Sequence, residues 1–138
     1  MRISIRTPEG ELFSQENVRS IDAFTELGEL RILPGHAALQ GTVAFSPVRI
    51  ETKEKTEQFV IQQGLVVVDP SSDEVRFFAY KAEPRSQLNH ETAKAYLDRL
   101  LQALRRQESL SDYALKFLDS ERIATEERIS YLTANPNA

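Results

Sequence analysis

The amino-acid sequence predicts a β-sandwich followed by an antiparallel α-helical hairpin, and three observations carry that prediction. Up to residue 80 the chain is a series of short apolar segments separated by turns that carry proline, glycine or aspartate. Near residue 84 a polar stretch with Pro84 interrupts the pattern. Beyond it apolar residues recur every three to four positions, the period of a helix with one buried face. The division expected is residues 1–84 for the all-β module and 85–138 for the hairpin.

Met1, Ile3 and Ile5 alternate with Arg2, Ser4 and Arg6, as in a strand with one buried face. Pro8-Glu9-Gly10 then turns the chain, since proline presets φ and glycine tolerates positive φ. Apolar segments follow at Glu11–Phe13, Val18–Ala23 and Leu30–Leu33, and Pro34-Gly35 breaks the chain again. Val48-Arg49-Ile50 and Phe59-Val60-Ile61 flank the polar stretch Thr52–Glu57, which reads as a hairpin. Leu65–Val68 is wholly apolar and rich in β-branched residues, which suits a central strand. Asp69–Asp73 leads into Val75–Tyr80. Closely spaced short strands joined by turns favour a sandwich or barrel over an alternating α/β fold.

Glu83–Gln87 reads as a polar linker, after which Asn89 is placed to cap a helix through its side-chain oxygen. Ala93, Leu97, Leu100, Leu101 and Leu104 share one face of that helix, and Arg105-Arg106 suit its carboxyl end. Ser109 and Asp112 resemble a capping box, with aspartate in the usual glutamate place. The second helix carries Leu110, Tyr113, Ala114, Phe117, Leu118, Ala124 and Leu132 largely on one side, and frays before Asn135-Pro136. A connector of about four residues makes the two helices antiparallel.

Composition narrows the function. The formal net charge of the 138 residues is −4, with 10 basic and 13 acidic residues up to Arg85 and 7 and 8 after it. Neither part is a basic block, so nucleic acid is not the expected partner. No apolar run approaches the roughly 20 residues that cross a bilayer, and the amino terminus lacks the apolar core of a signal peptide. With no cysteine, thiol catalysis, thiolate metal sites and disulfides are excluded. No phosphate loop or dinucleotide fingerprint is present. His36 and His90 are far apart and outside any nucleophile elbow, and they lack zinc-ligand spacing. Glu126-Glu127 are adjacent and diverge on a helix, as a solvated face does. The expectation is a non-catalytic protein without catalytic residues, metal or cofactor.

Gly28-Glu29-Leu30-Arg31-Ile32-Leu33-Pro34-Gly35-His36-Ala37-Ala38-Leu39 is the most informative segment. On spacing alone it is a strand, a Pro-Gly turn with a histidine at its tip, and a returning strand. Its residues also resemble the signature Gly-Glu-x-Gly-Ile-x-Pro-Gly-His-Ala-Pro-Leu of the epsilon subunit of F-type ATP synthases. The match covers Gly28, Glu29, Ile32, Pro34, Gly35, His36, Ala37 and Leu39. Arg31 stands where the family has glycine, and Ala38 where it has proline. The family's Ser-Gly-Gly before an apolar strand is met in part by Gln62-Gln63-Gly64-Leu65-Val66-Val67-Val68. Thr7–Phe13 is similar to its first hairpin, and Asp112-Tyr113-Ala114 to its helical tail.

The resemblance implies a central-stalk subunit that couples ion-driven rotation, hydrogen ion transport among the possibilities, to ATP synthesis. Its partners would be the gamma subunit and the membrane rotor ring, with the alpha and beta head subunits when the hairpin extends and inhibits hydrolysis. Carried over by motif position, Glu29 faces the rotor ring, and Pro34, Gly35 and His36 lie against gamma. Arg31 pairs with Glu29 or meets a partner changed in step with it. Arg122 and Arg128 are the residues implied to meet acids of the catalytic head when the roughly 33 Å second helix extends. Leu88-Asn89-His90-Glu91-Thr92-Ala93 occupies the place of a nucleotide motif, Ile/Leu-Asp-x-x-Arg-Ala, found in some bacterial members. Its aspartate is replaced by Asn89 and its arginine by Thr92, so weak or no ATP binding is expected. The place implied is peripheral, at the cytoplasmic face of a bacterial inner membrane, without membrane insertion. The alternative is a β-sandwich adaptor of another multiprotein complex.

Overall fold

Ile3 and Ile5 are fully buried from β1 (Arg2–Thr7), as their alternation requires. The computed structural model describes residues 1–26, 28–106 and 110–136, and six strands follow β1. They are β2 (Gly10–Gln15), β3 (Val18–Thr25), β4 (Gly28–Ile32), β5 (Leu39–Thr52), β6 (Thr56–Asp69) and β7 (Glu74–Pro84). The seven strands form one sheet in the order β2-β1-β7-β6-β5-β3-β4. Neighbours are antiparallel except β1 and β7, which are parallel. One hydrophobic cluster takes side chains from β1 and β3 to β7, and Phe13 of β2 packs against it. A sheet that encloses its own core must fold over into two facing layers, which is the sandwich expected from the pattern.

The fold line runs through Gln63, whose φ of 50° is left-handed. On β6 the core residues are Phe59 and Ile61 before it and Val66 and Val68 after it, so the inward parity changes. The same change occurs on β5, from Val43 to Val48 and Ile50, and on β7, from Val75, Phe77 and Ala79 to Ala82. The β5–β6 and β6–β7 registers are the same on both sides of this row, so the three strands turn over together. Gly64 follows, and a β-carbon there would stand 2.1 Å from the Phe78 carbonyl oxygen.

This row explains where the strand expectations fall short. Phe59–Ile61 and Leu65–Val68 read as two strands because polar Gln62-Gln63 and Gly64 separate them. They belong to one 14-residue strand. β7 likewise continues past Tyr80 to Pro84, so Glu83 and Pro84 are strand residues and Arg85–Gln87 form a 3₁₀ turn.

The chain divides into two units, Met1–Arg85 and Ser86–Ala138. The second holds α1 (His90–Leu104) and α2 (Asp112–Ala134), packed as an antiparallel hairpin. Asn89 caps α1 as expected, its Oδ1 accepting from the Thr92 amide at 2.8 Å. Ser109 lies outside the described residues. α2 is capped by Ser111, which accepts from the Ala114 amide at 3.1 Å. Asp112 therefore stands at the first helical position rather than the third, and the expected capping box gives way to this simpler cap.

The buried stripes are Ala93, Tyr96 and Leu100 on α1, and Ala114, Phe117, Leu118, Glu121, Thr125 and Leu132 on α2. Tyr113, expected on the buried side of α2, is exposed, and Ala124 is only half-buried. Glu121 and Thr125 hold the positions four and eight residues beyond Phe117, so helical geometry buries them.

Candidate functional site

β4 ends the sheet, and its alternation decides what the edge displays. Leu30 and Ile32 pack on the core, which leaves Glu29 and Arg31 on the other side, both exposed. In the register Arg31 lies opposite Asp22 of β3, and Arg49 of β5 lies opposite the same aspartate from the far side. Arg31 Nη1 is 3.4 Å from Asp22 Oδ1, and Arg49 Nε is 3.5 Å from Asp22 Oδ2. Asp22 is 2% exposed, and a carboxylate that deep needs cations or hydrogen-bond donors close by. Arg49 also approaches Glu51 at 3.8 Å, and the Ser20 hydroxyl donates to Glu51 Oε2 at 3.3 Å. Arg31, expected to pair with Glu29 or to meet a changed partner, lies beside the carboxylate of Asp22. No local signal links the two arginines to it, because the row exists only once β3, β4 and β5 are in register.

β4 leads into the turn Leu33-Pro34-Gly35-His36, closed by the His36 amide donating to the Leu33 carbonyl at 3.1 Å. Gly35 has φ 83°, which suits the third position of a type II turn with proline at the second. The turn fixes the His36 ring, whose Nδ1 lies 2.7 Å from the Ala37 carbonyl oxygen. Gly35 and His36 share a shallow cleft with Asp69, Pro70 and Glu74 of the β6–β7 turn.

A third surface has no counterpart in the sequence analysis. Outward side chains of β6 and β7 include Leu65 and Phe78 past the fold line and Tyr80 on it, exposed by 39%, 40% and 72%. Leu65 and Phe78 are direct cross-strand neighbours, bordered by Thr42 of β5 and Arg6 of β1. Apolar and aromatic side chains grouped on a sheet face with a polar border have the make-up of a protein interface. The uniform apolar run Leu65–Val68 marks no outer face, so only parity along β7 pointed to it.

Arg122 and Arg128 of the hairpin are both engaged within their own unit. Arg122 Nε donates to Asp119 Oδ1 at 2.9 Å and its Nη1 to Glu126 at 3.0–3.1 Å. These bonds, that to Asp119 first, hold the guanidinium above its ordinary pKa. Arg128 Nε donates to the Leu88 carbonyl at 3.1 Å, and its guanidinium lies 5.7 Å from the Tyr131 ring centre. Asn89 and Thr92, the two nucleotide-motif departures, bond to each other: the Thr92 hydroxyl donates to Asn89 Oδ1 at 3.0 Å. Among the described residues no group of three acidic or histidine side chains could hold a metal ion. No described helix is long and apolar enough to cross a membrane.

Residues 1–85 match the family described as ATP synthase, delta/epsilon chain, β-sandwich domain. The chain is 31% identical over 107 residues to the ATP synthase epsilon chain of Bacillus licheniformis, covering 78% of this chain and 79% of that one. It is 29% identical over 112 residues to that of Bacillus subtilis, covering 81% and 83%. A chain in the Euglena gracilis mitochondrial ATP synthase structure has a similar fold, with a TM-score of 0.60 at 23% identity, over 92% of this chain and 73% of its own. A chain of the Tetrahymena thermophila mitochondrial central stalk and c-ring matches at 0.53 and 19%, over 96% of each.

Proposed function

The chain belongs to the ATP synthase delta/epsilon family, and on that premise we propose that it is a non-catalytic central-stalk subunit of an F-type ATP synthase. In this role it couples ion-driven rotation to ATP synthesis and regulates ATP hydrolysis through its carboxyl-terminal hairpin. The observation that carries the reading is the family match through the whole sandwich, continued over most of the chain by the epsilon-chain relatives.

The surfaces divide the work. Glu29 and Arg31 on the β4 edge suit the polar loops of the membrane rotor ring, since charged edge strands resist further strand pairing and favour side-chain contacts. The Pro34-Gly35-His36 turn and the Leu65–Phe78–Tyr80 face suit the gamma subunit, the second by burying aromatic area. Arg122 and Arg128 serve the alpha and beta head subunits once the hairpin opens. The Arg128 bond to the Leu88 carbonyl supports this order of events, because it ties the half-buried guanidinium to the hairpin until α2 leaves α1. A subunit held through these partners is peripheral, at the cytoplasmic face of a bacterial inner membrane.

Affinity capture of the tagged chain from its native cells, with partners identified by mass spectrometry, tests the stalk role. Gamma recovered with alpha and beta subunits is the expected result; repeated recovery of another complex without gamma overturns it. Deletion of residues 88–138 should raise ATP hydrolysis by the assembled enzyme, and unchanged hydrolysis removes the regulatory half of the proposal.

A further inference from the structure

The centre of the hairpin is polar. Tyr96 of α1 is 1% exposed and Glu121 of α2 is 2% exposed, and the tyrosine hydroxyl donates to Glu121 Oε2 at 2.8 Å. Thr125, one turn further along α2, is equally buried and donates to the Glu121 carbonyl at 2.7 Å. The other buried positions of the two helices are Ala93, Leu100, Ala114, Phe117, Leu118 and Leu132, all apolar.

A carboxylate in such a stripe costs desolvation free energy that packed apolar side chains would avoid. Its compensation is alignment, because a buried polar pair across two helices penalises registers that separate its members. When α2 leaves α1, both groups regain water, so separation recovers solvation that an all-apolar hairpin could not offer. We propose that the Tyr96–Glu121 bond is the latch of the hairpin: it specifies how α1 and α2 align when closed and keeps the closed form near balance with the open one. That the hairpin opens, and what opening does in the enzyme, rest on the regulatory reading above; the buried bond itself is a property of the chain.

The test uses the full chain. It has no cysteine, so Lys94→Cys and Glu127→Cys accept spin labels that report the distance between the helices. Tyr96→Phe removes one oxygen and keeps the ring, and it should raise the open population about tenfold, the effect of losing a hydrogen bond to a charged group. Adding Glu121→Met removes the carboxylate together with its donor and should return the population to the parent value or below. An unchanged distance distribution in Tyr96→Phe overturns the latch. So does a double variant as open as the single one, or one whose helical circular dichroism is lost to the same extent. Hydrolysis by the assembled enzyme separates the two proposals. Shifted distances with unchanged hydrolysis leave the latch and remove the regulation, whereas unchanged distances remove the latch whatever hydrolysis does.

Discussion

Gly64 sits with the β7 backbone directly against it: an added β-carbon would lie 2.1 Å from the Phe78 oxygen and 2.9 Å from the Ala79 Cα. Backbone cannot swing aside as a flexible side chain can. Gly64→Ala should therefore cost about 2–3 kcal/mol and lower the melting temperature of the sandwich by roughly 10 °C or more, read by thermal denaturation. Its neighbour Gln63 holds a left-handed backbone, φ 50°, a conformation that glycine adopts without strain. Asp69 illustrates a charge at work in a turn. Its Oδ1 accepts from the Ser71 hydroxyl at 2.6 Å and the Ser71 amide at 3.0 Å. The Ser71 hydroxyl first, then that of Ser72, draws its pKa below the ordinary aspartate value. The stability this adds is present above the unfolded pKa of about 4 and is lost as pH falls through the lower folded value. Asp69→Asn should thus melt earlier than the parent at pH 7, with the gap closing at acid pH below the normal carboxylate range.

β5, β6 and β7 act as one element, because a single row changes the inward parity of all three. Each half of β6 is readable from its apolar residues; their continuity is not, since polar Gln62 and Gln63 interrupt the pattern for a reason of geometry rather than of chain reversal. α2 shows the converse. Glu121 lies among Asp119, Arg122, Glu126 and Glu127, so its surroundings in sequence read as a solvated face. Its partner Tyr96 is 25 residues away on the other helix. Arg128→Ala removes the tie to Leu88 and should cost the hairpin about 1 kcal/mol, seen as faster amide exchange in α1 and α2 with the sandwich unaffected. The start of α1 yields a prediction about ligands. Asn89 and Thr92 are spent on capping and on each other, and neither supplies a positive charge for phosphate. Calorimetric titration with ATP should give no micromolar binding, and micromolar affinity would falsify this reading of the motif.

The two units differ in how much they owe to the rest of the molecule. The sandwich draws its hydrophobic cluster wholly from residues 1–82, whereas each helix of the hairpin has one narrow stripe to bury. Residues 1–85 expressed alone should melt cooperatively with a sandwich-type circular dichroism spectrum, and a broad non-cooperative transition would show that the core depends on the rest of the chain. Such a division is what the proposed docking role of the sandwich and the proposed switching of the hairpin require.

Local pattern by itself determined the strand-rich module, the helical hairpin, the Asn89 cap and the Pro34-Gly35 turn, because alternation, helical period, capping and turn chemistry act over a few neighbouring residues. Only the tertiary structure decided that Arg31 and Arg49 flank Asp22, that Leu65, Phe78 and Tyr80 share one outer face, and that Tyr96 meets Glu121. Each of these joins residues distant in sequence through strand register or helix packing. Those alignments are set by the whole core, so no short window of sequence contains them.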